Sequence, residues 1–234
     1  MRYLITGASG GLGRAVCDGL EWRAATSGVD SHIQTIGRQP GSTLLADLST
    51  CTSQALTDAV RRLAEDGPFH GIVHCAGAEV IAPLRLTSDD QYRTAMMAAD
   101  SAFAILRAAA KKGVMAEGGS IVLMSSVAAH RGTAGMVAYS AGKAAIEAMV
   151  RCAAVELAPR RIRVNAVAAG AFRSPMHERI ARGMSAEGID AYSAKHPLGF
   201  GSVDAVRDAV LHLLSPGAHW VTGAALVVDG GYLA

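Results

Sequence analysis

Six short apolar runs punctuate the chain: Tyr3–Ile5, Ile33–Ile36, Gly71–His74, Ile121–Met124, Arg163–Ala168 and Ala225–Val228. Longer amphipathic or alanine-rich stretches lie between them, near Gly13–Arg23, Ser53–Glu65, Asp89–Lys112, Tyr139–Leu157 and Val203–Leu214, and their spacing predicts helices. Strands about as apolar on one face as on the other, alternating with helices, predict a parallel sheet covered on both sides. Right-handed crossovers then make the fold class α/β, a doubly wound parallel sheet with helices on both faces. The stretch Gly37–Leu45 is short for a crossover, so one helix of the alternation is expected to be reduced or missing. Ser174–Phe200 mixes Pro, Met, Gly, His and Tyr without a period and reads as a substrate flap at about 174–200 on a single domain spanning 1–234.

Composition narrows the class. Hydrophobic residues make up 50% of the 234 positions and charged residues 18%, which excludes a disordered chain. A chain of this length hides about 70% of its extended surface on folding, enough for one well-filled core. Lys and Arg number 22 against 20 Asp and Glu, a net +2 with no electrostatic footprint for nucleic acid. The densest basic cluster, Arg160, Arg161 and Arg163, precedes the apolar run Val164–Ala169 and reads as a polar turn entering a buried strand. No apolar run approaches the roughly 18 residues of a membrane span, and glycines begin at Gly7, too early for a secretory leader. These features predict a cytoplasmic protein with neither nucleic acid nor membrane as partner. Cys17, Cys51, Cys75 and Cys152 are widely separated, without C-x-x-C or metal-ligand spacing, and read as reduced core residues with no metal.

Glycine is the deviation that matters, at 26 of 234 residues. The chain opens Thr6-Gly7-Ala8-Ser9-Gly10-Gly11-Leu12-Gly13, directly after the first predicted strand and before the first helix. This is T-G-x-x-x-G-x-G rather than the general G-x-G-x-x-G, since Val16 stands where the last glycine would fall. The physics is shared: glycines let backbone approach a pyrophosphate at the positive end of the following helix, as in Rossmann-like folds. A P-loop is excluded because Arg14 and Ala15, not Lys and Ser/Thr, follow Gly13. The second strand ends Ile36-Gly37-Arg38 with no acid to accept a ribose hydroxyl. Arg38 can pair bidentately with a 2′-phosphate, so the expected cofactor is NADP(H) in preference to NAD(H).

The fourth run ends at Ser125-Ser126, and thirteen residues on the sequence Tyr139-Ser140-Ala141-Gly142-Lys143 opens a helix. Positions i and i+4 share a face, so Tyr139 and Lys143 project together. An ammonium neighbour favours the phenolate and is expected to lower the Tyr139 pKa, fitting it to exchange a proton with an alcohol or a developing alkoxide. Ser126 can donate a hydrogen bond to the same substrate oxygen.

With these pieces in order, the chain resembles the short-chain dehydrogenases/reductases of the compact single-domain kind over essentially its whole length. The matching segments are Thr6–Gly13, Asp47, the turn Cys75-Ala76-Gly77, Ser126, Tyr139 with Lys143, Arg163-Val164-Asn165-Ala166-Val167 and the ending Val228-Asp229-Gly230-Gly231. The resemblance implies an oxidoreductase moving hydride between a nicotinamide cofactor and an alcohol/carbonyl substrate. Tyr139 would be the general acid/base, Lys143 would tune it and hold the nicotinamide ribose, and Ser126 would steady the substrate carbonyl. The cofactor would lie along Gly7, Ser9, Gly11, Leu12 and Gly13, with Arg38, Asp47 and Leu48 at the adenosine end. Ala76 and Gly77 would pass near the adenosine ribose and Ser174 near the carboxamide. The resemblance also implies a homotetramer or homodimer, in keeping with the broad apolar faces of the helices Ala95–Ala110 and Tyr139–Leu157.

Three departures stand out. Cys75 replaces an amide of the family's N-A-G turn, Ala98 or Ala99 replaces a helix Asn that supports a water chain to the lysine, and Ala169-Gly170 replaces Pro-Gly. The missing Asn makes a non-catalytic NAD(P)-binding regulator on the same fold the alternative, against which the intact Ser126, Tyr139 and Lys143 weigh. His74, His130, His177 and His196 lack partners at ligand spacing and read as structural or loop residues, while Met176, Met184, Tyr192 and Phe200 suggest an apolar substrate wall.

Overall fold

A computed structural model describes residues 1–175, 178, 182, 183 and 185–234. The strands are β1 (Arg2–Thr6), β2 (His32–Gly37), β3 (Leu44–Leu45), β4 (Phe69–His74), β5 (Met115–Ser126), β6 (Arg163–Ala169) and β7 (Ala225–Val228). The helices are α1 (Gly11–Ser27), α2 (Ser53–Leu63), α3 (Asp89–Ala109), α4 (Val137–Leu157), α5 (Ala186–Ser193) and α6 (Val203–Leu214). One sheet runs β3-β2-β1-β4-β5-β6-β7, parallel at every pairing.

Period-two alternation sorts the strand residues between two cores. Leu4, Ile72, Ile121, Leu123 and Val164 face α2, α3 and α4, whereas Ile5, Val73, Val122 and Val167 face α1 and α6. Both faces are dry, so each strand reads as a continuous apolar run. The helices are started locally: Ser88 and Gln91 form a capping box on α3, and Ser202 and Thr52 cap α6 and α2. The basic cluster secures helix ends. Arg160 donates to the carbonyls of Ala109 and Met115, and Arg163 to those of Leu213 and Ser215, where α3 and α6 finish.

From β1 the chain winds outward to β2 and β3, then returns to lay β4 on the other side of β1. The strand order therefore reverses between β1 and β4, and this switch point opens a crevice beyond the strands' C-terminal ends. Two elements differ from the sequence expectation. The connection after β2 carries β3, a two-residue strand too short and too exposed at Leu45 to leave an apolar signature. The segment expected to be irregular contains α5, whose start Ser185 caps through Gly188. Met176, His177 and Met184, counted with the flap from sequence, lie outside the described residues. Among the described residues no helix is long and apolar enough to cross a membrane, and no group of three or more His, Cys, Asp or Glu could hold a metal ion.

Candidate active site

The glycine loop closes on itself before α1 begins. The Gly10 amide donates to the Gly7 carbonyl at 2.9 Å, and Gly7 adopts φ +69°. A Cβ on Gly13 would stand 2.2 Å from the Gly7 oxygen, and one on Gly7 would stand 2.8 Å from the Ala76 nitrogen. The loop is thus drawn against the turn after β4 with no room for side chains. The N-terminus of α1 has no side-chain cap and no acid in its first turn, so its leading N–H groups are left for an anion. Ser9, Gly11 and Leu12 line the same wall, and a bound dinucleotide's pyrophosphate fits this cradle.

At the end of β2, Arg38 stands beside Asp47 at 3.8 Å, and the two side chains are 71% and 41% exposed. Asp47 also accepts from the amide and hydroxyl of Ser49, bonds that hold its carboxyl below the usual range. An exposed pair this long contributes under about 1 kcal/mol, so Arg38 can exchange it for a phosphate. Leu48 lines the crevice beside them.

The turn after β4 rests on a buried network. His74 Nδ1 accepts from Thr6 at 2.6 Å, and its Nε2 donates to the Ala98 carbonyl at 3.1 Å. Burial pushes His74 down to about 4, so it is neutral and ties β1, β4 and α3 together rather than binding a metal. Of Ala98 and Ala99, Ala98 borders the turn: a Cβ on Gly77 would be 3.5 Å from its methyl and 3.6 Å from Lys143 Nζ. Burial pushes the Cys75 thiol up to about 12, which leaves it a small apolar group in the crevice wall.

Ser126 ends β5, Tyr139 sits in the first turn of α4, and Lys143 follows one turn later; all three line the crevice. Ser126 hydrogen-bonds the Tyr139 side chain, and Lys143 Nζ lies 5.5 Å from the Tyr139 ring centre while donating to the Met124 carbonyl at 2.9 Å. The electrostatics correct the sequence expectation. Burial pushes the phenol above its ordinary value of 10, with Glu79 adding to the rise and the Ser126 hydrogen bond opposing it. Lys143 does not offset this rise, and burial pulls Lys143 itself down to about 8 against the pull of Cys75 and Glu79. Ser174, Pro175, Ala76 and Gly77 also line the crevice.

A shared aromatic wall closes this end. His196 stacks on Tyr232 with ring centres 4.6 Å apart, and Tyr192 meets both along with Phe200. His196 accepts from the Ala171 amide and holds the Tyr192 carbonyl, which is a structural role. Tyr232 was not singled out from sequence because it lies after the last strand, and neither was Glu79, a lone acid in a loop. The crevice enclosed by all these groups holds about 890 Å³.

Behind the reactive end, buried Glu147 accepts from Ser125 at 2.6 Å and contacts His130 Nε2 at 2.9 Å. This network fastens α4 to the loop after β5. Glu147→Ala would take an acceptor from His130 and leave buried Ser125 with only its longer bond to the Lys143 carbonyl, and we expect a stability loss of about 1 kcal/mol, read from urea unfolding midpoints at constant m.

A parallel sheet with a glycine cradle at its switch point and a serine, tyrosine and lysine beside it defines a dinucleotide-binding oxidoreductase fold. The family model described as "Enoyl-(Acyl carrier protein) reductase" matches residues 23–233, and the chain belongs to the short-chain dehydrogenase/reductase family. It is 33% identical over 248 residues to a cyclopentanol dehydrogenase of Comamonas testosteroni, with 99% of this chain and 96% of that one covered. An L-xylulose reductase of Bos taurus is 31% identical over 244 residues, covering 100% and 96% of the two chains. Among solved structures, a short-chain type dehydrogenase/reductase from Mycobacterium ulcerans superposes with a TM-score of 0.84 at 29% identity, covering 99% of this chain and 89% of that one. A blue fluorescent protein from a metagenomic library, solved in complex with NADPH, gives 0.84 at 27% identity, covering 100% and 98%. The protein is accordingly an NAD(P)-dependent oxidoreductase of this family.

Proposed function

We propose that the protein interconverts a secondary alcohol and its ketone with NADP(H) as the preferred cofactor. The observation that carries this reading is that Ser126, Tyr139 and Lys143 share one crevice with an uncapped, side-chain-free glycine loop. Gly7, Ser9, Gly11, Leu12 and Gly13 hold the pyrophosphate, Arg38 holds the 2′-phosphate, and Asp47 and Leu48 flank the adenine. Ala76 and Gly77 pass the adenosine ribose, and Ser174 meets the carboxamide. When bound, the nicotinamide supplies or takes up the hydride.

The chain's own residues handle orientation and the proton. Ser126 donates to the substrate oxygen and fixes it over the crevice floor. Tyr139, kept protonated at neutral pH by its burial, gives its proton to that oxygen as negative charge develops, and takes it back in the reverse direction. Lys143, freed from the Met124 carbonyl, reaches the ribose hydroxyls and steadies the phenolate by its charge. The aromatic wall of Tyr192, Phe200 and Tyr232 favours a compact cyclic or short-chain substrate, consistent with relatives named for cyclopentanol and L-xylulose. The segment around 174–200 acts as the flap over this substrate. Four free cysteines suit a reducing cytoplasm, and exposed Phe103 on α3 and Val155 on α4 suit burial in a homotetramer or homodimer.

Steady-state rates with both cofactors on a ketone panel test the assignment. Arg38→Asp is expected to raise KM for NADPH by about 10²-fold while leaving KM for NADH within a few fold, since a charge-assisted phosphate pair is lost and a repulsion gained. A wild-type preference for NADH that survives Arg38→Asp would refute the cofactor assignment.

A further inference from the structure

The reacting groups ride on separate elements, Tyr139 and Lys143 on α4 and Ser126 at the end of β5. Side chains alternate along a strand, so Ser125, 4% exposed, points to the opposite face from Ser126, toward α4. There its hydroxyl lies 2.6 Å from Glu147 Oε1 and 3.3 Å from the Lys143 carbonyl. A hydroxyl has one proton to donate, and the nearer acceptor takes it. Glu147 stands one turn beyond Lys143, is 6% exposed, and also lies 2.9 Å from Nε2 of His130 in the loop after β5. A second tie runs the other way: Lys143 Nζ donates to the Met124 carbonyl at 2.9 Å. Around these groups α4 buries Ala138, Gly142, Ile146 and Val150, which are small or apolar.

Apolar contacts hold two elements together without fixing how far one slides along the other, because they are non-directional. A short hydrogen bond to a buried carboxylate does fix it. In the hydride-transfer reading above, Lys143 leaves the Met124 carbonyl for the ribose hydroxyls. The second tie is then lost just when the reaction needs Ser126 and Tyr139 on one substrate oxygen, while the bond from Ser125 to Glu147 remains. Resting on that reading, we propose that Glu147 is a positioning residue. It sets the height of α4 against the end of β5, and so the spacing of Tyr139 from Ser126, while Lys143 serves the cofactor. Without this carboxylate the Ser125 hydroxyl turns to the Lys143 carbonyl, one turn nearer the start of α4. The hydroxyl stays partnered and the fold survives, but the helix is drawn to a different register. A misplacement of about 1 Å at reacting atoms costs on the order of 10²-fold in rate, and a helix still packed on its apolar side loses part of that.

The test separates rate from folding and from cofactor binding. Glu147→Ala is expected to lower kcat for ketone reduction about tenfold per folded protein, with the Kd for NADPH within about twofold of wild type by fluorescence titration. Glu147→Gln keeps an amide oxygen for Ser125 and should restore kcat to within about threefold of wild type. Ser125→Ala should match Glu147→Ala, and the double variant should be no slower than either, since all three break the same bond. Val206→Ala, in the core on the other face of the sheet, lowers stability without touching this bond and should keep the wild-type kcat. Amide exchange over residues 137–147 reads the register without turnover, and should be about fivefold faster in Glu147→Ala and of wild-type rate in Glu147→Gln. If Glu147→Ala does not fold, Ser125→Ala and Glu147→Gln carry the same comparison. Wild-type kcat in Glu147→Ala or Ser125→Ala, exchange unchanged in both, a Glu147→Gln as slow as Glu147→Ala, or NADPH affinity falling in step with kcat would each overturn the proposal. Failure of the hydride-transfer reading shows separately, as a wild type that turns over no ketone or a fully active Tyr139→Phe, and exchange then decides on Glu147.

Discussion

Tyr139→Phe should lower kcat for ketone reduction by about 10³-fold while changing the affinity for NADPH less than threefold. The substitution removes one oxygen and leaves the ring beside Lys143 in the first turn of α4, so the fold is retained. What disappears is the proton that must reach the substrate oxygen as negative charge develops there. The pH profile adds a second reading. Burial raises the phenol above its ordinary value, so at neutral pH it is protonated and ready to donate. Reduction should therefore be flat through neutral pH, whereas alcohol oxidation, which needs the phenolate, should rise as pH increases toward the phenol's raised pKa. Rates of NADPH oxidation with a ketone and of NADP⁺ reduction with the matching alcohol across pH, with fluorescence titration of NADPH, check both halves. Undiminished turnover in Tyr139→Phe would remove Tyr139 from the chemistry altogether.

Gly13→Ala should weaken NADPH binding by about 10²-fold with a smaller loss of stability. The added methyl would stand 2.2 Å from the Gly7 carbonyl oxygen, 2.7 Å from its carbon and 2.9 Å from the Ala8 Cα, all of them backbone. No side-chain rotation relieves those contacts. The loop must lift away from α1, and the leading N–H groups lose their common aim at a phosphate. Thermal unfolding with and without NADPH separates the effects: the apo transition should drop by a few degrees, while the cofactor-induced upshift seen in the wild type should nearly vanish. An upshift of wild-type size in Gly13→Ala would show that the cradle is not where the dinucleotide sits.

Much of this was legible before any coordinates. The runs at Tyr3–Ile5 and Gly71–His74 lie inside β1 and β4, and Val203–Leu214 is α6 from end to end. Such segments are readable because a buried parallel strand must be apolar on both faces and a covered helix must repeat near every 3.6 residues. The pairing of Tyr139 with Lys143 was legible for a related reason: i,i+4 spacing on a helix is a local constraint, so the two had to share a face. β3 and α5 escaped. Two residues carry no period, and α5 is eight residues long with no fully buried residue to mark it.

Sequence by itself therefore determined the layer architecture, the glycine cradle, and the identity of the serine, tyrosine and lysine at the crevice, since each depends on neighbours within one turn or one strand. Tertiary structure alone decided that the Tyr139 pKa rises rather than falls, that Ala98 borders Gly77, and that Glu79 joins the crevice lining while Tyr232 arrives from the chain's last residues. Desolvation and the meeting of side chains distant in sequence depend on how the layers close over one another, and no local spacing encodes that closure.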